Sequence, residues 1–291
     1  MKNLKEYIVE GIFDTDENTI DKSIKDQIKC FLKENFKGAS LCKISDKPNA
    51  GGKYEVSSSK NIIVKNYKIT SLTNGLFIWT TIGGEFNCDY CPLLTSLEGA
   101  PKEVGGSFNC EYCGSLTSLK GAPEKVSGGF DCGWCNLLIS LEGAPKEVGG
   151  NFYCNSCKLL TSLKGVPEKV GRNFSCDFCK SLTSLKGAPK EVGGSFGCGC
   201  CDLITSLKGA PKEVSGGFDC GDCESLTSLK GAPKEVGGNF RCKYCKSLTS
   251  LEGAPEKVGG IFYCGGCGIK FTNDDVKKAS NVKGIIYVWK I

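Results

Sequence analysis

Hydrophobic positions in the middle of the chain recur at a fixed interval of 22 residues. Each interval contains one phenylalanine, a cysteine two residues later, and a second cysteine three residues after the first. Between the cysteine pairs the chain repeats a motif of leucine, glycine, proline and valine, as in LTSLKGAPEKV at residues 116–126. The nine phenylalanines are Phe86, Phe108, Phe130, Phe152, Phe174, Phe196, Phe218, Phe240 and Phe262. A fixed period of this length is typical of a solenoid, in which each unit forms one turn.

The order of apolar residues within one interval predicts the path of a single turn. Phe108 and Cys110 alternate with a polar residue and predict a short strand. Leu116, Leu119 and Val126 are spaced to point inward, and the glycine and proline between them mark the return of the chain. One turn is too small to bury these side chains alone, so neighbouring turns must stack. The pattern therefore predicts a repeat solenoid of nine 22-residue turns with parallel strands, one strand per turn.

The first 66 residues do not repeat and predict an α+β cap. Isoleucine, phenylalanine and leucine fall near a period of 3.6 over residues 19–36, which predicts an amphipathic helix. A shorter helix is expected before it, over residues 4–13. Residues 40–45 and 53–57 alternate like strands around a Pro-Asn-Ala-Gly-Gly turn. The sequence ITSL at residues 69–72 then copies the repeat motif, as a degenerate first turn.

The residues after the last repeat predict a second cap. Thr272 is placed to N-cap a short helix that runs through Ala279, and residues 284–291 predict a strand that covers the last turn. Solenoids need such caps because their open ends expose apolar side chains. The predicted domains are an N-terminal cap at residues 1–66, the solenoid at 67–270 and a C-terminal cap at 271–291.

The inward columns resemble those of leucine-rich repeats, and specifically the BspA-like class, whose motif is F-x-x-C-x-x-L-T-S-I followed by proline and I-G. The corresponding run here is CGSLTSL at residues 113–119, followed by Pro123 and Val126. The resemblance covers about residues 69–267 and implies a leucine-rich-repeat-like architecture, without identifying a partner. This chain departs from the motif by two extra residues and a second cysteine after the phenylalanine. The sequence LTSLEGAPKEVGG also resembles repeats in proteins of bacteria and tailed phages, and this resemblance implies a bacterial or phage origin.

Composition narrows the possible functions. Histidine is absent and cysteine occurs 21 times, so the chain lacks the commonest general base and the commonest metal-binding imidazole. A formal net charge of +5 is mild and does not favour nucleic acid as a partner. The chain has no long apolar run that would favour a membrane span, and the charged N-terminus does not resemble a secretion signal. We therefore expect free thiols in the cytoplasm, or in a virion if the protein is phage-encoded.

The paired cysteines have three possible roles. They are Cys88/Cys91, Cys110/Cys113, Cys132/Cys135, Cys154/Cys157, Cys176/Cys179, Cys198/Cys201, Cys220/Cys223, Cys242/Cys245 and Cys264/Cys267. Their spacing fits four-thiolate sites that would hold zinc or an iron–sulfur cluster between neighbouring turns. The same spacing follows automatically from the period, and a free cysteine packs well as a small hydrophobic residue. We favour packing thiols without a cofactor over metal ligands, and metal ligands over disulfides.

Residues just before each cysteine vary from turn to turn, while the inward columns stay constant. We expect these variable side chains to project from the strand face, where exposed aromatics and arginine are typical of interfaces. The candidate partner-binding residues are Tyr90, Tyr112, Trp134, Tyr153, Phe178, Arg241 and Tyr244. A structural stack of aromatic rings is the competing interpretation. Lys-Glu pairs on the opposite face alternate in sign over the first turns and predict cross-turn ion pairs.

These patterns favour a non-enzymatic interaction module that binds a protein, or alternatively a glycan, through the strand face. A solenoid loaded with zinc or iron–sulfur clusters is the second hypothesis. An enzyme is disfavoured because the chain shows no glycine-rich phosphate loop, nucleophile motif or catalytic carboxylate pair. We expect neither a nucleic acid nor a membrane as the partner.

Overall fold

The computed structural model describes residues 17–288, which form a solenoid with two long β-sheets and a helix near each end. The helices are α1 (Glu17–Asn35) and α2 (Asn273–Ala279), and a short 3-10 helix spans Ala39–Leu41. The predicted helix over residues 4–13 and the last three residues of the predicted final strand lie outside the described residues.

Both sheets contain twelve strands, most of them only two residues long. In chain order the strands are β1 (Phe36–Lys37), β2 (Lys43–Ile44), β3 (Tyr54–Ser58), β4 (Ile62–Val64), β5 (Phe77–Ile82), β6 (Phe86–Asn87), β7 (Glu103–Val104), β8 (Phe108–Asn109), β9 (Lys125–Val126), β10 (Phe130–Asp131), β11 (Glu147–Val148), β12 (Phe152–Tyr153), β13 (Lys169–Val170), β14 (Phe174–Ser175), β15 (Glu191–Val192), β16 (Phe196–Gly197), β17 (Glu213–Val214), β18 (Phe218–Asp219), β19 (Glu235–Val236), β20 (Phe240–Arg241), β21 (Lys257–Val258), β22 (Phe262–Tyr263), β23 (Asn281–Val282) and β24 (Ile286–Tyr287). One sheet runs β1-β4-β6 and onward through the even-numbered strands to β24, and the other runs β2-β3-β5 and onward through the odd-numbered strands to β23.

Each turn contributes two strands, where the sequence predicted one. The first contains the repeated phenylalanine, and Phe130 pairs in register with Phe152 of the next turn. The second contains the repeated valine, and Val148 pairs with Val170 in the same parallel manner. The valine strand was not predicted, because its two residues are too few to show alternation, whereas the phenylalanine strand is followed by a cysteine that continues the pattern.

The prediction of a parallel β-solenoid with a period of 22 residues is confirmed, but nine turns is too few. The described residues form about eleven turns, from β3 and β4 to β23 and β24. The two additional turns lie at the ends and lack the repeated phenylalanine and cysteine pair. The first of them contains the ITSL copy, with Ile69 and Leu72 buried, as predicted for a degenerate first turn. Ile62 takes the position of the repeated phenylalanine at one end, and Ile286 takes it at the other.

The core consists of columns of identical side chains stacked along the solenoid. All nine repeated phenylalanines are buried, with ring centroids of adjacent turns 5.0–5.7 Å apart. The paired leucines, such as Leu160 and Leu163, and valines such as Val170 are buried in every complete turn. The inward positions predicted for phenylalanine, leucine and valine are therefore confirmed.

The N-terminal end of the stack is closed by α1 and two antiparallel strands. Ile28 and Leu32 are buried on one face of α1, as the amphipathic pattern predicted. Strand β1 pairs antiparallel with β4, and β2 pairs antiparallel with β3. Trp79 lies beneath this cap, and its indole N–H donates to the Leu72 carbonyl at 3.0 Å. This cap therefore covers Phe86, the first of the repeated phenylalanines.

At the C-terminal end, the predicted helix cap is confirmed. The Thr272 hydroxyl accepts a hydrogen bond from the Asp275 N–H at 3.2 Å, and the Asp275 carboxylate accepts from the Thr272 N–H at 2.8 Å. This reciprocal pair satisfies two N–H groups that begin α2. After α2 the chain adds β23 and β24 to the two sheets.

Candidate recognition surface

Each phenylalanine strand ends in a tight turn that contains the two cysteines. In the described turns, the residue before the second cysteine has a positive φ, between 51° and 61° for eight non-glycine residues and 71° for Gly266. The eight residues are Tyr90, Tyr112, Trp134, Ser156, Phe178, Cys200, Asp222 and Tyr244. The predicted placement of these residues on a strand face is therefore wrong, because they lie in the left-handed region, beyond the strand. This conformation costs roughly 1–2 kcal/mol for a residue that carries a Cβ.

Three of these residues form a stack of aromatic rings across consecutive turns. The ring centroids of Tyr90 and Tyr112 are 4.5 Å apart, and those of Tyr112 and Trp134 are 5.4 Å apart. Both pairs lie within 14° of parallel. We call Tyr90, Tyr112 and Trp134 the aromatic stack. It ends at Ser156, which is buried, whereas Tyr90 remains 54% exposed.

The other two aromatics of this column stand apart from the stack. Phe178 is 52% exposed and lies between turns that carry Ser156 and Cys200 at the same position. The ring of Tyr244 covers Gly266, so closely that a Cβ on this glycine would collide with it. The five aromatics predicted as one column thus form one group of three and two separate rings.

A column of exposed leucines lies three residues beyond the aromatic position, and the sequence analysis missed it. Its members are Leu93, Leu137, Leu159 and Leu203, each between 44% and 49% exposed. In four other turns this position is a serine, such as Ser115, and in the last turn it is Ile269, which is 45% exposed. The available signal was a second leucine directly before the buried leucine or isoleucine of the motif in four turns. We call the aromatic stack, Phe178 and these four leucines the apolar strip.

Tyr153 and Arg241 belong to a neighbouring column that is only partly exposed. The Arg241 guanidinium lies 3.8 Å from the Asp219 carboxylate and 5.5 Å from the centre of the Tyr263 ring. Tyr263 in turn stacks on Tyr287 at 5.1 Å. Arg241 is therefore already engaged within the protein, whereas Tyr90, Trp134 and Phe178 remain exposed.

Three carboxylates accompany the aromatic stack: Asp89, Glu111 and Asp131. Burial and the neighbouring carboxylates of Asp131 and Asp89 raise the pKa of Glu111. Burial also raises the pKa of Asp131, whose carboxylate accepts a hydrogen bond from the Gly133 N–H at 2.8 Å. No lysine or arginine within residues 17–288 forms an ion pair with these three groups. The stack is therefore bordered by negative charge that the described protein leaves uncompensated.

The repeated cysteines are free thiols, and most of them donate hydrogen bonds to backbone carbonyls of adjacent turns. The second cysteine of a turn donates to the first cysteine of the preceding turn, as from Cys157 Sγ to the Cys132 carbonyl at 3.3 Å. The first cysteine donates in the opposite direction, as from Cys132 Sγ to the Tyr153 carbonyl at 3.4 Å. Each such thiol thus fills a small apolar space and satisfies a backbone acceptor.

Cys135 and Cys201 illustrate the contacts that the second cysteine of a turn makes. Both side chains are fully buried and both thiols are unbridged. Cys135 Sγ donates to the Cys110 carbonyl at 3.2 Å, and Cys201 Sγ donates to the Cys176 carbonyl at 3.2 Å. A metal ion would bind the deprotonated sulfur, so it would replace these hydrogen bonds. These contacts fit the packing role favoured from the sequence for Cys135 and Cys201, and the metal-ligand alternative stays a hypothesis.

Burial makes most of the paired thiols poor nucleophiles, because nucleophilic attack needs the thiolate. It raises the pKa of Cys132 and Cys154 well above the ordinary thiol value, and that of Cys264 to about 12. Cys113 differs, because a hydrogen bond with the Cys91 thiol lowers its pKa. Across residues 17–288, no three histidine, cysteine, aspartate or glutamate side chains are grouped so that they could hold a metal ion. The donor set therefore gives no support to the zinc or iron–sulfur hypothesis.

Comparison with protein-family models, curated proteins and solved structures finds no match to this chain. Among residues 17–288, neither helix combines the length and the apolarity that crossing a membrane requires.

Proposed function

We propose that this protein is a non-enzymatic binding protein that recognises another protein through the apolar strip. The observation that supports this most is the presence of large aromatic residues at left-handed backbone positions. Glycine occupies the equivalent position at Gly266, so the turn itself does not require a side chain there. The left-handed backbone belongs to the turn, whereas a large ring in place of glycine adds strain that the turn does not require. Strain of this kind is typical of functional sites.

Stacking offsets part of the strain in the aromatic stack, since a pair of rings contributes roughly 0.5–1.5 kcal/mol. It does not explain Phe178, which has no ring above or below it in its column. The exposed leucines are likewise unnecessary, because serine replaces them in other turns. A surface that exposes several large apolar side chains on consecutive turns fits a protein partner lying across those turns.

The partner we propose carries basic residues next to apolar ones. Asp89, Glu111 and Asp131 provide uncompensated negative charge beside the aromatic stack. An arginine suits this setting, since its guanidinium both pairs with a carboxylate and stacks on an aromatic ring. A glycan would also stack on the rings but would not need the negative charge.

The test begins with capture of a partner by the full chain, followed by measurement of its affinity for variants. Trp134→Ala and Tyr112→Ala should each weaken binding by on the order of 2 kcal/mol. Phe178→Gly should also weaken binding, because it removes the ring and relieves the backbone. Lys125→Ala, on the opposite charged face, is the matched surface control and should bind as tightly as the wild type.

Two results would contradict the proposal. The strip would have only a structural role if Trp134→Ala and Phe178→Gly bound the partner as tightly as Lys125→Ala does. Binding to a neutral glycan that is lost in Trp134→Ala, with no protein partner, would assign the strip to carbohydrate. The Glu111→Gln variant distinguishes these two partners, because only a basic protein partner should lose affinity with it.

The relationship to BspA-like leucine-rich repeats, the bacterial or phage origin and the location in cytoplasm or virion are also proposals. Inward columns of leucine and valine support the first, and unbridged cysteines support a reducing compartment. A sequence with the same period but a single cysteine per turn would connect this chain to that class.

A further inference from the structure

The charged face of the solenoid changes character part of the way along the chain. One exposed column follows the second buried leucine of each turn and contains Glu98, Lys120, Glu142, Lys164, Lys186, Lys208, Lys230 and Glu252. In its first half the sign alternates, and each lysine pairs across turns. Lys120 Nζ lies 3.1 Å from Glu98, and Lys164 Nζ lies 2.6 Å from Glu142. A second column, which follows the proline, begins the same way, with Lys146 3.6 Å from Glu124.

The alternation stops in three consecutive turns, at residues 186–190, 208–212 and 230–234. All three read KGAPK, so both columns there contain only lysine. Carboxylate partners remain at the borders, as for Lys190 with Glu168 at 2.6 Å and Lys230 with Glu252 at 3.0 Å.

The central lysines Lys186, Lys208 and Lys212 have no carboxylate within ion-pair distance among residues 17–288. Lys208 lies between two lysines of its own column, one turn away on each side. Adjacent turns are about 4.8 Å apart, so the like charges repel one another. The first turns show that the fold accepts the alternating arrangement, which would remove this repulsion.

A groove lies over the same turns. Its floor is lined by Ala188, Pro189, Ala210 and Pro211, and Lys190 and Lys212 lie along it. Its volume is about 720 Å³. Of the three unpaired lysines, Lys212 lines this groove, and Lys186 and Lys208 precede the lining residues Ala188 and Gly209 by one or two positions.

We propose that these three turns bind an extended acidic segment of a protein. The site consists of the lysine patch, defined as Lys186, Lys190, Lys208, Lys212, Lys230 and Lys234. This proposal does not depend on the apolar strip, which uses other residues and the opposite sign of charge. In the turns where the sign alternates, glutamates of the chain itself pair with the lysines. In the lysine patch, aspartate or glutamate side chains of the bound segment take that role.

The surroundings of the lysine patch select a narrow occupant. Glu191 and Glu213 line the same groove, next to the second lysine column. A DNA duplex or an anionic membrane would cover these glutamates together with the lysines and would be repelled by them. The groove lining contains no aromatic residue on which the bases of a single strand could stack. A polypeptide is thin enough to keep its carboxylates over the lysine rows.

The repeat provides a matched control for testing this site. The patch variant is Lys186→Gln, Lys208→Gln and Lys212→Gln combined. The control combines Lys120→Gln, Lys146→Gln and Lys164→Gln, which remove the same charge from the same two columns in alternating turns. Binding of a fluorescent oligoglutamate peptide to the full-length wild type and to both variants is measured by anisotropy at low and physiological salt. Thermal unfolding confirms that both variants are folded.

We expect the patch variant to lose roughly tenfold in affinity for the peptide, since each exposed charge pair contributes modestly. The control should change affinity less than about threefold. Equal losses in the two variants would show attraction by net charge alone and would overturn the proposal. The proposal would also be overturned if the peptide did not bind to the wild type. The same measurements with duplex DNA and with phosphatidylserine vesicles test the other occupants. The proposal would also be overturned if the DNA or the vesicles bound more tightly than the peptide and lost affinity in the patch variant.

Discussion

The thiol of Cys113 donates a hydrogen bond to the backbone carbonyl of Cys88 in the preceding turn, over 3.2 Å. The same bond recurs between equivalent cysteines along the described solenoid, with Sγ to oxygen distances of 3.1–3.3 Å. A methyl group would fill part of the space but could not donate, and a larger apolar side chain would not fit a column packed at this spacing. The repeated pairs within this chain are therefore explained by packing and hydrogen bonding together.

Removing one such donor should destabilise the solenoid. Cys157→Ala leaves the Cys132 carbonyl without this thiol and opens a small cavity, so we expect a loss of about 1–3 kcal/mol in the free energy of unfolding. Urea unfolding followed by circular dichroism measures it. The control is Cys30→Ala on the exposed surface of α1, which should change stability by less than about 0.5 kcal/mol. A loss of similar size in both variants would count against a role for the buried thiol.

Leu163 tests the inward columns in a middle turn. The side chain is fully buried between two neighbouring turns, so Leu163→Ala should cost about 2–5 kcal/mol of stability. The next residue, Lys164, is exposed and pairs only with Glu142 at the surface. Lys164→Ala should therefore cost no more than about 0.5 kcal/mol. If calorimetric unfolding shows the two variants to be alike, the column assignment is wrong.

Phe178→Gly separates the needs of the fold from those of binding. Glycine removes the strain of a positive φ, which is 61° at this position, but it also increases the freedom of the unfolded chain. These effects oppose each other, so we expect stability to change by less than about 1 kcal/mol. Phe174→Ala, four residues earlier in the buried column, should lose about 3–5 kcal/mol. A large loss from Phe178→Gly would give that ring a structural role.

The buried thiols should also make the protein sensitive to alkali. Burial raises the pKa of most of them in the folded state, as for Cys264 to about 12, from an ordinary value of 9.0. Below pH 9 these thiols are protonated in both states and stability is unaffected. Above pH 9 only the unfolded chain ionises, so stability falls as the pH rises toward 12, by up to about 1.4 kcal/mol per pH unit for each such thiol.

Urea midpoints measured from about pH 7 to about pH 11 under reducing conditions test this sensitivity, since that range spans the ordinary thiol pKa. Iodoacetamide labelling under native conditions at about pH 8 provides a second readout, with the exposed Cys30 reacting ahead of the core thiols. A midpoint that stays constant across the whole range would mean that the core thiols do not keep their protons on folding.

The sequence alone determined the turns and their inward columns, because a strict 22-residue repeat forces equivalent residues into equivalent places. The repeat requires Phe130 to lie next to Phe152 and Leu163 to be buried, for any path of the chain within one turn. Local chemistry also sufficed for the Thr272 cap, which depends only on residues within one helical turn.

Only the tertiary structure decided where residues of different turns meet and which backbone shape each one adopts. The valine strand exists because neighbouring turns supply its hydrogen-bond partners, and two residues carry no periodicity of their own. The left-handed conformation at Phe178 arises because its N–H must reach the Gly199 carbonyl of the next turn, 2.9 Å away. The loss of ion pairs around Lys208 likewise depends on which charges become neighbours when the turns stack. Such relations join residues about one period apart, and a single turn taken by itself contains no trace of them.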